Sequence, residues 1–396
     1  MSGASRGPIA LEVRRERFRI AGTFRIARGA RTVSEVLTVT LSRDGAVGRG
    51  ECLPYARYDE TLDSVEAAVR TLAGALGDGL DRAALQALLP AGAARNAVDC
   101  ALWDLEAKAS GTPVWRLAGL AEPGPVTTAY TLSIDAPEAM REAARREAAR
   151  PLLKVKLGGE GGAEADLERL AAVREGAPAA RLLVDANEGW SIRDYERVAP
   201  RLAALGVALV EQPLPAGDDA PLGEARRPVP TCADESCHDR ASLDRIAGRY
   251  DVVNVKLDKA GGLTEALALA AEARERGLGL MVGCMVGSSL AMAPAMLVAQ
   301  SAKLDAKLDE RARRARDVPE GTSATRLDGE EDFLTRVSAK VGRRINEADE
   351  RIVAKSREFV NRDAPAKGAE PRAVRSAPAG PAPDATTGDG GTPKGD

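Results

Sequence analysis

Between residues 125 and 300 the chain repeats one pattern: a short apolar run ending in a charged residue, then an amphipathic stretch rich in Ala, Leu, Arg and Glu. The runs TTAYTLS, LLKVKL, RLLVDA, VALVEQP, VPTCADE, DVVNVKL and LGLMVGCM have the length of strands. Between them, segments such as AEADLERLAAVREGA, IRDYERVAPRLAAL and LTEALALAAEARERG place apolar residues at helical spacing. Alternating strands and helices give a parallel sheet, because each parallel strand needs a crossover to reach the next. Asp185, Glu211, Asp234 and Lys256 close successive runs at intervals of 22 to 26 residues. That interval is close to one unit of an eight-fold barrel of about 250 residues. Seven runs are present and no glycine-rich dinucleotide fingerprint follows the first. The predicted fold is therefore an α/β, (β/α) TIM-like barrel rather than an open doubly wound sheet.

Outside the repeat the character changes. Residues 1–124 begin with strand-like IALEVRRERFRI and EVLTVTLSRDG, then turn helical through SVEAAVRTLAGAL and ARNAVDCALWDLEAKASG, which predicts a separate α+β domain. The barrel is expected over residues 125–315. Residues 316–361 form a charged stretch of helical pattern, and the Pro/Ala/Gly-rich residues 362–396 are predicted to be a disordered tail.

Charge excludes some partners. The chain has 56 Lys+Arg against 59 Asp+Glu, so its overall field gives no reason to attract nucleic acid or an anionic membrane. No stretch reaches the roughly 18 apolar residues of a membrane span, and the N-terminus lacks the apolar core of a signal peptide. A small-molecule substrate and a cytoplasmic setting are expected, with homo-oligomerisation left open. Cys52, Cys100, Cys232, Cys237 and Cys284 are odd in number and contain no CxxC pair, so they read as reduced core residues. His238 is the sole histidine and any His-dependent mechanism would have to run through it; a surface or capping role is the plainer reading.

In a parallel barrel the C-terminal ends of the strands face the active-site mouth, and residues two apart share a face. LLKVKL therefore sends Lys154 and Lys156 to one side and Leu153, Val155 and Leu157 to the other. Two inward ammonium groups are costly unless carboxylates stand opposite, and Asp185, Glu211 and Asp234 each end a successive strand. Three converging carboxylates repel one another unless a divalent cation neutralises them, and oxygen-only ligands favour magnesium or manganese. A helix-capping role suits any one of these acids but does not call for all three to face inward. Lys256 shares a face with Asn254 and lies across the barrel from Lys156, which puts one lysine on each side of a reacting carbon. Asp258 and Lys259, just past that strand, are expected to pair with each other or with neighbouring charges.

The set K-V-K at 154–156, D-A-N at 185–187, E-Q-P at 211–213, A-D-E-S at 233–236 and N-V-K-L-D-K-A-G-G-L-T at 254–264 resembles the muconate-lactonizing-enzyme subgroup of the enolase superfamily. Within it, CADESCHDR and NVKLDKAGGLTEAL resemble the L-Ala-D/L-Glu and related dipeptide epimerases, over roughly residues 10 to 300. The resemblance implies that Asp185, Glu211 and Asp234 bind Mg2+ and that Lys156 and Lys256 are the acid/base catalysts. It also implies that Lys154 stabilises negative charge on the substrate carboxylate and that the N-terminal domain caps the barrel through the loops FRIARGAR and GECLPYARYDET. Arg28 would then meet the distal carboxylate of the substrate, Pro54 and Tyr55 would help close the pocket, and Asn254, Cys284 and Met285 would join the substrate contacts. The reaction implied is epimerisation of a dipeptide by 1,1-proton transfer through an enolate.

One part of the family pattern is missing. Dipeptide epimerases of this kind end the eighth strand with Asp-x-Asp followed by Gly-Pro, which holds the substrate's amino group. Here the sequence reads SAKLDAKLDERARRARDVPEG, with Asp305 and Asp309 at the wrong spacing and no Gly-Pro. The C-terminal barrel strand is therefore expected to be atypical or disrupted. Sister reactions on the same lysine and metal core stay open: o-succinylbenzoate synthesis, N-acylamino acid racemisation and cycloisomerisation. So does a non-catalytic protein with an incomplete barrel.

Overall fold

The computed structural model describes residues 7–300 and residue 302. The chain opens with an antiparallel sheet of β1 (Ala10–Ile26), β2 (Gly29–Arg43) and β3 (Ala46–Cys52), in that order. Helices α1 (Leu62–Arg70), α2 (Ala73–Gly77), α3 (Arg82–Leu88), α4 (Ala93–Ser110) and α5 (Val114–Leu117) follow. Two readings of the sequence are corrected here. FRIARGAR is a β-hairpin rather than an open loop, with Ile26 facing Gly29 across the turn, and GECLPYARYDET begins inside β3. Helix α3 was not foreseen at all. β1 carries a register shift between Arg19 and Phe24, so its tip bends away from the regular ladder.

Helix α4 joins the two halves. Its Ala97, Val98, Ala101 and Leu105 pack with Leu37, Val39 and Leu41 of the sheet, while Cys100 and Trp103 belong to the barrel core. A helix clothed on all sides shows no clean amphipathic stripe. Its approach to β3 depends on small residues: a Cβ at Gly48 would lie 2.2 Å from the Ala101 carbonyl oxygen, and one at Gly50 would lie 2.0 Å from that of Ala97.

The remaining strands are all parallel: β4 (Tyr130–Leu132), β5 (Leu152–Lys156), β6 (Arg181–Asp185), β7 (Val207–Glu211), β8 (Thr231–Ala233), β9 (Val252–Val255) and β10 (Gly279–Val282). They lie side by side in sequence order, each on one of the seven predicted runs. The helices that follow these strands are α6 (Pro137–Arg146), α7 (Gly162–Gly176), α8 (Ile192–Ala204), α9 (Leu243–Ile246), α10 (Leu257–Ala260), α11 (Leu263–Glu275) and α12 (Ser289–Ala299). Outward-facing Val155, Val184, Val210 and Val253 pack with Leu170, Tyr195, Val198 and Leu269 in one core. Fully burying a side chain of this size stabilises by roughly 1.5–3 kcal/mol. Leu183, Leu209, Cys232 and Val252 form a smaller second cluster.

Among the described residues β4 and β10 are the edge strands. The Gln300 amide bridges toward the β4 side, donating to the Gly124 carbonyl at 3.1 Å and accepting from its N–H at 2.9 Å. The atypical eighth strand, Asp305, Asp309, the charged stretch 316–361 and the tail 362–396 lie outside the described residues. No helix among the described residues is long and apolar enough to cross a membrane.

Candidate active site

The strand register sets the site. Lys156 pairs with Asp185, and Asp185 with Glu211, at the C-terminal ends of β5, β6 and β7. Asp234 follows β8 and Lys256 follows β9 directly. The backbone ladder runs one step beyond the strands, with Leu157 N–H donating to the Asp185 carbonyl at 2.8 Å and Ala186 N–H to that of Glu211 at 3.0 Å. Side chains at these ends are therefore held by rigid backbone.

Asp185, Glu211 and Asp234 are all buried, and each offers an oxygen within 4.8 Å of the others. Lysines surround them. Lys154 contacts Asp185 at 2.9 Å and also pairs with Glu211; Lys156 reaches Asp185 at 2.6 Å and Lys256 reaches Asp234 at 2.5 Å. Lys259, which has no exposed side-chain surface, donates to Asp234 Oδ1 at 2.6 Å and to the carbonyl oxygens of Asp234 and Asn254. It does not pair with Asp258, which instead accepts from Leu53 N–H at 3.0 Å and Asn96 Nδ2 at 2.9 Å in the N-terminal half.

Burial and like charge push the Glu211 carboxyl up to about 7. For Asp185 burial acts the same way, but Lys154 and Lys156 outweigh it and the carboxyl titrates lower than usual. Lys256 is held above the usual lysine range because Asp234 and Glu211 overcome burial, whereas Lys156 is lowered because burial prevails. Four ammonium groups already surround the three acids, so the rise at Glu211 is led by its burial. The Asn254 Oδ1 beside this cluster is buried without a donor. The oxygen-only donor set fits a hard divalent cation such as Mg2+.

The predicted substrate contacts separate into two groups. Arg28, Tyr55, Cys284 and Met285 line a cavity of about 420 Å3 together with Lys156, Asp234 and Lys256. Lys154 and Asn254 instead face the carboxylates, Asn254 donating to Glu211 at 2.7 Å. Gly283 allows that placement, since a Cβ there would sit 2.6 Å from Asn254 Oδ1. Arg28 does not present a free charge: it donates to Glu235 at 2.6 Å, to Glu188 at 3.1 Å and to the Asn187 carbonyl at 3.1 Å. Arg31 lines the same cavity, over the Tyr55 ring at 5.7 Å. His238 is half-buried, meets Tyr58 edge-on at 4.6 Å and does not line the cavity that holds Lys156 and Lys256.

Sequence reasoning passed over Gln212, Glu188 and Glu235. Gln212 Oε1 accepts from the Asp234 N–H at 2.9 Å and the Ser236 N–H at 3.1 Å, and its Nε2 donates to Leu214, Ser236 and Tyr250, so it fixes the turn that carries Asp234. Its place within E-Q-P was the available signal.

These features define a capped (β/α)-barrel enzyme scaffold with a carboxylate triad and facing lysines. Residues 138–330 match the Enolase C-terminal domain-like family and residues 9–119 the N-terminal domain of mandelate racemase / muconate lactonizing enzyme. The chain is 49% identical over 263 residues to the L-Ala-D/L-Glu epimerase of Escherichia coli (strain K12), covering 66% of this chain and 81% of that one. It is 46% identical over 251 residues to the N-acetyl-D-glutamate racemase of a Pseudoalteromonas species, covering 63% and 78%. A solved enolase family member from Agrobacterium tumefaciens, with bound sodium and L-Ala-L-Glu, superposes with a TM-score of 0.72 at 48% identity, covering 75% of this chain and 90% of that one. The dipeptide epimerase from Enterococcus faecalis V583, complexed with Mg and L-Leu-L-Tyr, gives 0.69 at 30% identity, covering 75% and 88%. The chain belongs to the mandelate racemase / muconate lactonizing enzyme family of the enolase superfamily.

Proposed function

We infer that the protein is a Mg2+-dependent dipeptide epimerase of the L-Ala-D/L-Glu type. The observation that carries this reading is the placement of Lys156 and Lys256 in one cavity, four strands apart across the carboxylate triad. The similarity to the E. coli epimerase supports it. Asp185, Glu211 and Asp234 would hold the cation, which supplies positive charge beside the substrate carboxylate and so makes the neighbouring C–H more acidic. One lysine, as the neutral amine, takes the α-proton while the ammonium of the other gives a proton to the opposite face. One C–H bond breaks, one forms, and the carbon inverts. Lys154 adds positive charge where the enolate oxygens develop.

Tyr55, Cys284 and Met285 form the cavity wall. Because Arg28 is engaged by two carboxylates, Arg31 is the better-placed partner for a distal substrate carboxylate. A cytoplasmic setting accords with five free thiols.

A second reading, racemisation of an N-acylated glutamate, is favoured by the Pseudoalteromonas relative. It is also favoured by the missing Asp-x-Asp-Gly-Pro, since an acylated nitrogen needs no carboxylate anchor. Incubation with Mg2+ in D2O of L-Ala-L-Glu and, separately, N-acetyl-D-glutamate distinguishes the two. Deuterium gain and inversion of the dipeptide alone support the epimerase; inversion of the N-acetyl compound alone replaces it with the second reading.

A further inference from the structure

The turn after β6 holds two consecutive non-glycine residues in the left-handed region, Asn187 at φ 47° and Glu188 at φ 68°. Such backbone is uncommon outside glycine and persists where surrounding contacts over-determine it. Glu188 is held from every side. Its N–H donates to the Gln212 carbonyl at 2.9 Å. Its Oε1 accepts from Ala216 N–H at 2.8 Å and Arg57 Nη2 at 2.9 Å, and its Oε2 from Arg57 Nε at 3.0 Å and Arg28 Nη1 at 3.1 Å. Four donors fill the acceptor capacity of a carboxylate.

The two arginines come from different places. Arg28 lies in the β1–β2 hairpin turn and Arg57 in the short turn after β3, and both line the cavity that contains Lys156 and Lys256. Their charge-assisted bonds converge on one side chain that is only 10% exposed. We propose that Glu188 is the positioning residue that clasps both N-terminal loops over the cavity, so that substrate affinity depends on its carboxylate. Glu235, which takes the remaining face of Arg28 at 2.6 Å, braces the same clasp. The affinity claim rests on the reading of this cavity as the substrate site.

Glycine is the informative substitution, because Glu188→Gly removes the clasp while relaxing the left-handed backbone. Trypsin cleavage after Arg28, followed by mass spectrometry of the N-terminal peptide, should accelerate about tenfold, the equivalent of one lost charge-assisted contact. For L-Ala-L-Glu, KM should rise by a similar factor, with kcat changed by less than about threefold. Arg57→Gln breaks the clasp from the loop side without touching the strained turn, and both readouts should move in the same direction. Unchanged cleavage in both variants overturns the clasp, and so does faster cleavage with an unchanged KM. A loss confined to melting temperature, with KM and cleavage at wild-type values, would make Glu188 a structural residue only. If the wild type inverts neither test substrate, the functional reading fails, and the clasp is then decided by the trypsin rates alone.

Discussion

Replacing either cavity lysine by alanine should abolish epimerisation without unfolding the protein, and the geometry gives a reason to expect each half. Breaking a buried ion pair usually costs about 3–5 kcal/mol, because the abandoned charge stays buried. Here each abandoned carboxylate keeps a second ammonium. In Lys156→Ala, Asp185 retains Lys154 at 2.9 Å; in Lys256→Ala, Asp234 retains Lys259 at 2.6 Å. The stability loss should therefore stay near about 1–2 kcal/mol, a melting shift of several degrees. The catalytic loss is much larger, since a positioned acid/base contributes roughly 10²–10⁴-fold and no other lysine among those lining the cavity can substitute. The diagnostic readout is solvent exchange. Each variant retains one lysine on one face, so each should exchange the α-proton of a single stereoisomer of Ala-Glu in D2O, the two variants choosing opposite isomers. Mass spectrometry of the L,L and L,D dipeptides, incubated separately, reads this directly. Exchange of both isomers by either variant would refute the two-lysine mechanism.

Glu211→Gln should raise the concentration of Mg2+ needed for half-maximal thermal stabilisation by at least about tenfold, because one anionic donor of three is lost; calorimetric titration with Mg2+ that matches wild type would remove Glu211 from the metal site. Arg31→Met should raise KM for L-Ala-L-Glu by roughly tenfold while leaving L-Ala-L-Met nearly unchanged, consistent with about 1.4 kcal/mol for one exposed charge contact; equal effects on both substrates would count against a role in charge recognition. Burial pushes the Asp258 carboxyl up to about 7, above its unfolded value near about 3.9. The stability this group contributes is therefore fully present below about pH 4 and lost as pH rises through about 7. Asp258→Asn keeps an oxygen for Leu53 and Asn96, so its stability relative to wild type should improve between pH 5 and pH 8 in urea unfolding; a difference independent of pH would contradict the shift.

The barrel and its chemistry were legible because both obey short-range periodicities. All seven strands of the parallel sheet fall on runs of apolar pattern, and the two-residue period put Lys154 and Lys156 on the inward face. The spacing of Asp185, Glu211 and Asp234 indicated convergence because parallel strands in register bring their C-terminal ends together. The N-terminal half was harder to read. β3 is a strand whose packing depends on Gly48 and Gly50, residues that ordinarily argue against a strand, and the reason appears only once α4 lies against it. Helix α3 is seven residues long, too short for periodicity to register.

The same limit explains why the protein partners of Arg28 were not anticipated. Its partners Glu188 and Glu235 are 160 and 207 residues away, in turns whose conformation no local pattern encodes. Sequence indicates which residues a strand end delivers, but the charge balance at the mouth depends on which loops meet there. Arg28 and Arg57 pair with Glu188 and Glu235, whereas Arg31 stands over an aromatic ring instead of a carboxylate. The inner site works the other way. Lys259, whose side chain is fully buried, is a second counter-ion of Asp234 at 2.6 Å, so Asp234 would keep a buried partner if Lys256 turned to a substrate.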